Sequence, residues 1–563
     1  MLNKRLFLKS TLIITAATLL SKVLGLVRQQ YSLYLFGGGW EYDSFVAAFR
    51  IPNALRELLA EGALSAAFIP IFSAILVRSG KKEAFIFANK VLNISIIITF
   101  TVIIIGLVFS NVFMSYYHNP DVYPSAAPLA ARLFDIMMFY LPFISLSALI
   151  MGMLNSMNQF AIPALGPFFS NVAFLAVLYF SYKLFNSSEV SERILYLSYA
   201  TVIGGFTHFI IQTPSLIKSK FKFNFTIDFK DNNIKEFFTL FVPFAMAMGI
   251  PKLNNILSNI YSHDIIGGNT ALSQGFFIVQ LPLSVFVAGV SMVSLPNMSK
   301  YFESGDMDNL KNLILMGFRI VFFFIFPSAI GLMLLDVEIS HFIFSDILLI
   351  FSKKTGKIND LVIGNIALAQ FYFSPGIISM GLSIVFIRAF QSMKDMKTMI
   401  YTGIASVALH LLLMTIFISY IGLSFEGIAL SITLSSFFNL ILLILILLRK
   451  MGKFQWNKTF ISMGKMIIAT CIMAIIIYLL KEILFNSHNS SILHNNVSLE
   501  LKNKVKKSEM LSSLSYIGNI IKLFIIIIAG LISYTISLFL LKEEEFKKVM
   551  DKILKKLLPQ KKV

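Results

Sequence analysis

Apolar runs, each long enough to cross a bilayer, alternate with short polar stretches along almost the whole chain. A helix crossing the hydrocarbon needs about 20 largely apolar residues. On that measure the pattern predicts fourteen transmembrane helices, near residues 10–36, 44–76, 88–110, 130–152, 160–182, 194–214, 236–258, 269–297, 314–335, 361–389, 398–421, 425–448, 460–484 and 516–541. The segment 44–76 is the least regular, because Arg50, Arg56, Glu57 and Glu61 interrupt it. The first segment follows Lys4, Arg5 and Lys9, as a signal peptide would. Its cleavage site is poor and its apolar run continues past Lys22 to Phe36, so it reads as a span. The expected fold is an all-α polytopic membrane protein.

Composition agrees. Of 563 residues, 57% are hydrophobic and only 14% charged, with 56 Phe; a soluble domain is nearer a quarter charged. Disorder is excluded by the same balance. The net charge of +19 could indicate nucleic acid, but on so apolar a chain it reads as topology, since Lys and Arg gather in cytoplasmic loops. Most of the 48 basic residues fall on the inner side if both termini are cytoplasmic. Arg132, Arg319, Lys465 and Lys522 lie toward span ends, where snorkelling accounts for them. The tail 542–563 reads as a basic surface helix, and 486–515 as a flexible outer loop. The single Cys471 allows no intrachain disulfide and no cysteine metal cluster.

Two stretches recur at a spacing of about 226 residues: Ile69-Pro70-Ile71-Phe72-Ser73 with Ser79-Gly80, and Leu295-Pro296-Asn297-Met298-Ser299 with Ser304-Gly305. A weaker echo pairs Phe139-Tyr140 through Asn155-Ser156-Met157 with Phe371-Tyr372 through Gln391-Ser392-Met393. The paired spans differ by six, an even number, so the units share one orientation and are parallel repeats. This divides the chain into six-helix bundles at 1–225 and 226–450, two added helices within 451–541, and the tail 542–563. Chance similarity of Pro-Ser helix ends is the competing account. A duplicated bundle favours a transporter that works by alternating access.

The sharpest local signal is charge inside the membrane. Lys22 and Arg28 lie in the first span, and Asp43, Arg50, Arg56, Glu57 and Glu61 in or beside the second. Each central charge costs about 2.5–3.5 kcal/mol to insert, so such residues pair off or face a wet cavity. Arg50, Glu57 and Glu61 recur at helical spacing, so one face could hold an ion cluster, although Pro52 distorts that wheel. Arg56 is offset by about 120° from Arg50. Pairing can absorb Arg50 and leaves Lys22, Arg28 and Arg56 with Asp43, a net positive cavity. Such a cavity suits an anion, and Arg grips phosphate oxygens with a bidentate fork. Lys252, beside Pro251, is either another cavity cation or a snorkelling one. Gly37-Gly38-Gly39 lacks the Walker spacing and reads as a tight outer turn. The seven His show no ligand spacing, and no acid–base pair or nucleophile motif appears. No metal and no cofactor is assigned.

Ser21-Lys22-Val23-Leu24-Gly25-Leu26-Val27-Arg28, then Phe36-Gly37, Asp43 through Arg56, Ala60-Glu61-Gly62-Ala63 and Ala67-Phe68-Ile69-Pro70 closely resemble the MurJ (MviN) family of the MOP exporter superfamily, with its MATE-like fold. Asp395-Met396-Lys397-Thr398 is similar to the family's Asp-x-x-Thr-Pro segment, with Met399 where the Pro is expected. The resemblance implies a lipid II flippase of the bacterial inner membrane. Its cargo would be undecaprenyl-pyrophosphoryl-MurNAc-pentapeptide-GlcNAc, its partners membrane lipids and the cell-wall machinery, with no nucleic acid. It implies substrate roles for Arg28 and Arg56 as the family's essential arginines, and for Asp43, Asn53 and Glu61 at motif positions. Lys22 stands where Arg is usual, and Arg50 accompanies the set. The family's arginine of the eighth span aligns near Phe277, where no cation stands, so Lys252 is expected to supply that charge. Ser258 or a neighbour occupies the region where some members carry an acidic residue, so sodium coupling is not assigned. The alternatives are a related exporter of polysaccharide lipid intermediates or drugs, a membrane-embedded polyprenyl-phosphate enzyme, or a non-transporting scaffold.

Overall fold

The computed structural model describes residues 4–57, 63–116, 124–157, 159–184, 189–261, 267–346, 360–485, 503–504, 516–543 and 546–547. Within these, the side chains of 4–19, 63, 65–66, 247–248, 251–256, 259–261, 288–289, 292–293 and 296 are not described. The chain forms two compact units, Met1–Asn269 and Thr270–Val563.

The first unit contains α1 (Lys4–Phe36), α2 (Trp40–Arg56), α3 (Ala63–Arg78), α4 (Gly80–Ser115), α5 (Ala126–Met138), α6 (Tyr140–Ser156), α7 (Ala161–Leu184), the short α8 (Val190–Arg193), α9 (Leu195–Lys218) and α10 (Asn232–Tyr261). α1 packs on α7, α7 on α9, α9 on α6, and α2 on α5. The glycine run does form the tight turn between α1 and α2, with Gly37 at φ 72°. Its N–H closes on the Leu33 carbonyl at 2.7 Å. α3, α4 and α6 share a core in which Phe68 stacks on Phe72 and Phe87, at 5.3 and 5.6 Å. α9 approaches α6 so closely that a Cβ on Gly205 would lie 2.4 Å from the Tyr140 ring. Only glycine leaves that space.

The second unit contains α11 (Gly268–Pro282), a π turn at Leu283–Val287, α12 (Ala288–Glu303), α13 (Met307–Leu334), α14 (Asp336–His341) and a π turn at Phe342–Asp346. It continues with α15 (Asp360–Phe373), α16 (Gly376–Ser392), α17 (Met396–Thr415), a π turn at Ile416–Tyr420, α18 (Phe425–Met451), α19 (Asn457–Phe485) and α20 (Tyr516–Leu540). α19 and α20 pack on each other, and α19 also on α13. The π turn after Pro282 is where an imino nitrogen breaks the bond ladder. Pro375 has the larger effect: α15 and α16 meet at 47°. The carbonyl of Tyr372 left open there accepts the Thr433 hydroxyl at 2.7 Å, which supplies the partner a broken helix needs.

A helix stands at every expected span. The segment 44–76 differs: it is two helices, α2 and α3, and residues 58–62 between them lie outside the described ones. Among the described residues ten helices are long and apolar enough to cross a membrane, or eleven if α15 and α16 count as one span. The count of fourteen is therefore not established. α1, the α2–α3 pair and α10 are helical, and each includes residues or side chains outside the described ones, so the count of ten or eleven does not cover them. The loop 486–515 and the tail 548–563 fall almost wholly outside the described residues.

The sequence echo extends to the backbone. α6 and α16 end alike: Gln159 N–H reaches Leu154 O and Asp395 N–H reaches Phe390 O, each at 2.9 Å. α3 and α12 are each followed by a left-handed glycine, Gly80 at φ 82° and Gly305 at φ 73°. The same closing bond also ends α9, α12 and α20, as is common at helix C-termini, so it does not by itself decide between duplication and chance.

Candidate functional site

The site begins on α1. Asn171 of α7 donates to the Ser21 carbonyl at 3.1 Å, which holds the two helices in register beside Lys22. A Cβ on Gly25 would meet that same Asn171 only at 3.8 Å, an ordinary contact. Two turns on, the Arg28 guanidinium lies over the Phe174 ring, 5.0 Å from its centroid. A cation over an aromatic face recovers part of the hydration lost on entering a membrane protein. The same arginine stands within electrostatic reach of Arg56, a like charge, and of the Tyr42 and Tyr140 hydroxyls. Two cations from different helices thus lie within electrostatic reach of each other.

α2 supplies the second half. Pro52 in its interior removes a donor and weakens the last turns. Asn53 then organises the helix end. Its amide donates to Glu57 at 3.1 Å, and its Oδ1 accepts Arg56 Nε at 3.0 Å. Arg56 Nη2 lies 3.7 Å from the Glu57 carboxylate, with both side chains about a fifth to a quarter exposed. Glu57 thus stands beside Arg56, which the spacing had left with Asp43. Arg50 is half-buried on the same helix. Asp43 is buried at the start of α2 and accepts the Gly267 backbone N–H at 2.7 Å.

Glu61 and the Lys252 side chain lie outside the described residues, although the Lys252 backbone is in α10. Phe277 is a half-buried residue of α11, next to Phe276, which packs edge-on against Phe373 at 5.2 Å. The second unit holds another partly buried cation. Arg388 of α16 donates from Nε to the Ser291 hydroxyl at 2.6 Å and from Nη1 to Gln391 at 2.7 Å. The sequence reading did not single out Arg388. Its signal is an Arg followed three residues later by Gln on a helix end, and the Ser291 partner is visible only in the fold. Phe174, Tyr42 and Tyr140 were missed for the same reason. Among the described residues no group of three His, Cys, Asp or Glu could hold a metal ion.

The residues assigned to span ends mostly have partners. Arg132 faces Glu192 at 3.7 Å, Arg319 donates to Thr459 at 3.2 Å, and Lys522 lies over the Phe485 ring at 5.4 Å. A buried polar patch not foreseen lies at the end of α13: Lys481 faces Glu338 at 3.2 Å, Lys504 pairs with Asp336, and His341 faces Asp346 at 3.2 Å.

Comparison with known proteins gives the family. The family model described as lipid II flippase MurJ matches residues 33–497. The lipid II flippase MurJ of Burkholderia cenocepacia is 27% identical over 468 residues, which is 81% of this chain and 87% of that protein. A probable lipid II flippase MurJ of Buchnera aphidicola is 28% identical over 471 residues, 83% of this chain and 88% of the relative. Among solved structures, a lipid II flippase MurJ in an inward closed conformation superposes with a TM-score of 0.67 at 23% identity, covering 89% of this chain and 98% of its own. An inward-facing multidrug resistance MATE transporter of the MOP superfamily gives a TM-score of 0.65 at 14% identity, covering 76% and 94%. These likenesses carry the fold, and the family match covers most of the chain. The chain belongs to the MurJ family of lipid II flippases.

Proposed function

We propose that this chain carries lipid II from the inner to the outer leaflet of the bacterial cytoplasmic membrane, with both termini in the cytoplasm. The observation that carries the proposal is a pair of arginines held on separate helices, Arg28 over the Phe174 ring and Arg56 by Asn53, within electrostatic reach of each other. Like charges brought together away from bulk water repel, and an anion between them relieves the cost. A pyrophosphate presents pairs of oxygens that planar guanidinium forks can bind bidentately. Asn53 on Nε sets the plane of the Arg56 fork, and the Phe174 ring sets that of Arg28. Lys22 adds charge without a fork. Arg50 and Lys252 complete the cationic set, and Asp43, Asn53 and Glu61 hold its frame.

In this reading the duplicated bundles, expected at 1–225 and 226–450, rock alternately and expose the cationic site first to one leaflet and then to the other. MATE transporters of the MOP superfamily are known in both inward-facing and outward-facing conformations. The head group crosses inside the protein while the polyprenyl tail stays in lipid. No bond is made or broken, so no acid, base or nucleophile is required. The test is lipid II exposure in a flippase-depleted bacterium carrying Arg28→Ala or Arg56→Ala. Loss of outer-leaflet lipid II with normal insertion is expected, and retained translocation in either variant refutes the assigned role.

A further inference from the structure

Residues 220–230, between α9 and α10, read Lys-Phe-Lys-Phe-Asn-Phe-Thr-Ile-Asp-Phe-Lys, and the flippase reading gives them no task. α9 stops abruptly there. Lys220 takes a left-handed φ of 65°. Its N–H returns to Ile217 O at 2.8 Å and that of Phe221 to Leu216 O at 3.4 Å, a helix-closing turn usually made by glycine.

Beyond the turn the chain is tied to α4 by side chains. Asn89 donates to the Lys222 carbonyl at 3.0 Å and accepts the Asn224 N–H at 3.0 Å. Asn93 donates to the carbonyls of Asn224 and Thr226, at 2.9 and 3.0 Å. Lys90 then pairs with Asp228 at 3.0 Å and Asp231 at 2.6 Å. Asn89 and Asn93 are one helical turn apart, a rise of about 6 Å. Their targets advance by two residues over that rise, which is the pitch of an extended chain. The segment is a strap laid along the start of α4.

An extended chain sends alternate side chains to opposite faces. Phe221, still part of the turn that closes α9, packs onto Phe85, edge-on at 5.2 Å. The next odd-numbered side chains do the reverse: Phe223 is 59% exposed, Phe225 64%, Ile227 40% and Phe229 59%. Four large apolar groups in one row are too many for a surface meant for water. Depth explains them. The tie points Asn89 and Asn93 are buried at the beginning of the apolar run of α4, and its exposed Ile97, Ile98 and Phe100 follow directly. The strap therefore lies where α4 enters the hydrocarbon. Lys218, Lys220, Lys222 and Lys230 flank the row.

We propose that residues 220–230 are a lipid-docking strap for an anionic leaflet. The rings of Phe223, Phe225 and Phe229 enter the acyl-chain boundary, and the flanking lysines engage anionic phosphates. The leaflet is the cytoplasmic one if the proposed topology holds; the depth of the strap does not depend on that topology or on translocation.

The test uses the full chain with Cys471→Ser, which removes the native thiol, and one nitroxide-labelled cysteine at a time: Phe223→Cys, Phe225→Cys, Phe229→Cys and, as control, Asn224→Cys. Labelled protein in nanodiscs of phosphatidylcholine with phosphatidylglycerol is probed by oxygen and by a water-soluble nickel chelate. Labels at 223, 225 and 229 should favour oxygen several-fold over the label at 224, and the preference should weaken in pure phosphatidylcholine. Nickel access at 223, 225 and 229 equal to that at 224 overturns the proposal. So does shielding from both probes, which would mark a protein partner or a second copy on this face. An oxygen preference indifferent to phosphatidylglycerol overturns the anionic assignment. Because no readout measures flipping, failure here leaves the flippase reading untouched, and the reverse holds too.

Discussion

The Asp43 carboxylate accepts the backbone N–H of Gly267 at 2.7 Å, so the first turn of α2 is fastened to the turn that leads into α11. Gly267 has φ 73°, and Asp43 is only 6% exposed. A buried hydrogen bond to a charged acceptor contributes about 1.5–3 kcal/mol. Asp43→Ala should lower stability by about that amount, read as the thermal unfolding midpoint in detergent, and should weaken complementation. Asp43→Asn keeps an acceptor and should retain most of the stability. Equal loss in both variants would assign the effect to charge rather than to the bond.

Asn53 orients Arg56, so the two should separate in a variant series. Arg56→Ala is expected to abolish translocation. Asn53→Ala keeps the charge and loses the aim, so outer-leaflet lipid II should fall by about tenfold, the equivalent of ~1.4 kcal/mol. Glu57→Gln removes the negative neighbour at 3.7 Å and should tighten substrate retention. Indistinguishable Asn53→Ala and wild-type rates would remove Asn53 from the site.

Two cations compete for the role left open at Phe277. Lys252→Ala should impair complementation about as severely as Arg28→Ala; near-normal growth would end that assignment. Arg388 is the second candidate. If it is a substrate contact, Arg388→Ala should fail while Ser291→Ala, which removes only its 2.6 Å partner, is mild. If Arg388 is a structural clamp, the two should lose stability alike in a thermal melt.

The Asp395-x-x-Thr398 segment caps α17. Asp395 accepts the Thr398 N–H at 3.2 Å and its hydroxyl at 2.6 Å, and pairs with Lys450. Burial pushes its carboxyl up, but the bonds from Lys450 and Thr398 outweigh burial and hold it below the usual carboxylate range. A carboxyl with a lowered folded value contributes stability above its unfolded value, about 4, and loses it as pH falls through the folded one. Asp395→Ala should therefore cost about 1 kcal/mol at neutral pH. The gap from wild type should shrink once the pH drops below about 4. A gap independent of pH would show that the cap does not act through its charge.

Much of this was legible in the sequence because bilayer thickness imposes a run length that composition alone reveals. Every expected span holds helix among its described residues, although 44–76 is two helices, and the Ser21–Pro70 motif singled out Arg28 and Arg56. What remained hidden has a common cause. The Pro375 bend, the Glu57 partner of Arg56 and the Ser291 partner of Arg388 all depend on which face of one helix meets another. The strap shows this most clearly. Its Lys counted only as loop charge and its Phe had no assigned place, because Asn89 and Asn93, which tie the segment down, lie more than a hundred positions earlier.

The most direct test of the central claim is outer-leaflet labelling of lipid II in a flippase-depleted bacterium complemented with this chain and with its Arg28→Ala, Arg56→Ala double variant. The account predicts restored labelling with the wild-type chain, and lipid II trapped in the inner leaflet with the double variant at equal membrane insertion. Wild-type labelling from the double variant, or failure of the wild-type chain to restore it, would contradict a flippase that works through these two arginines.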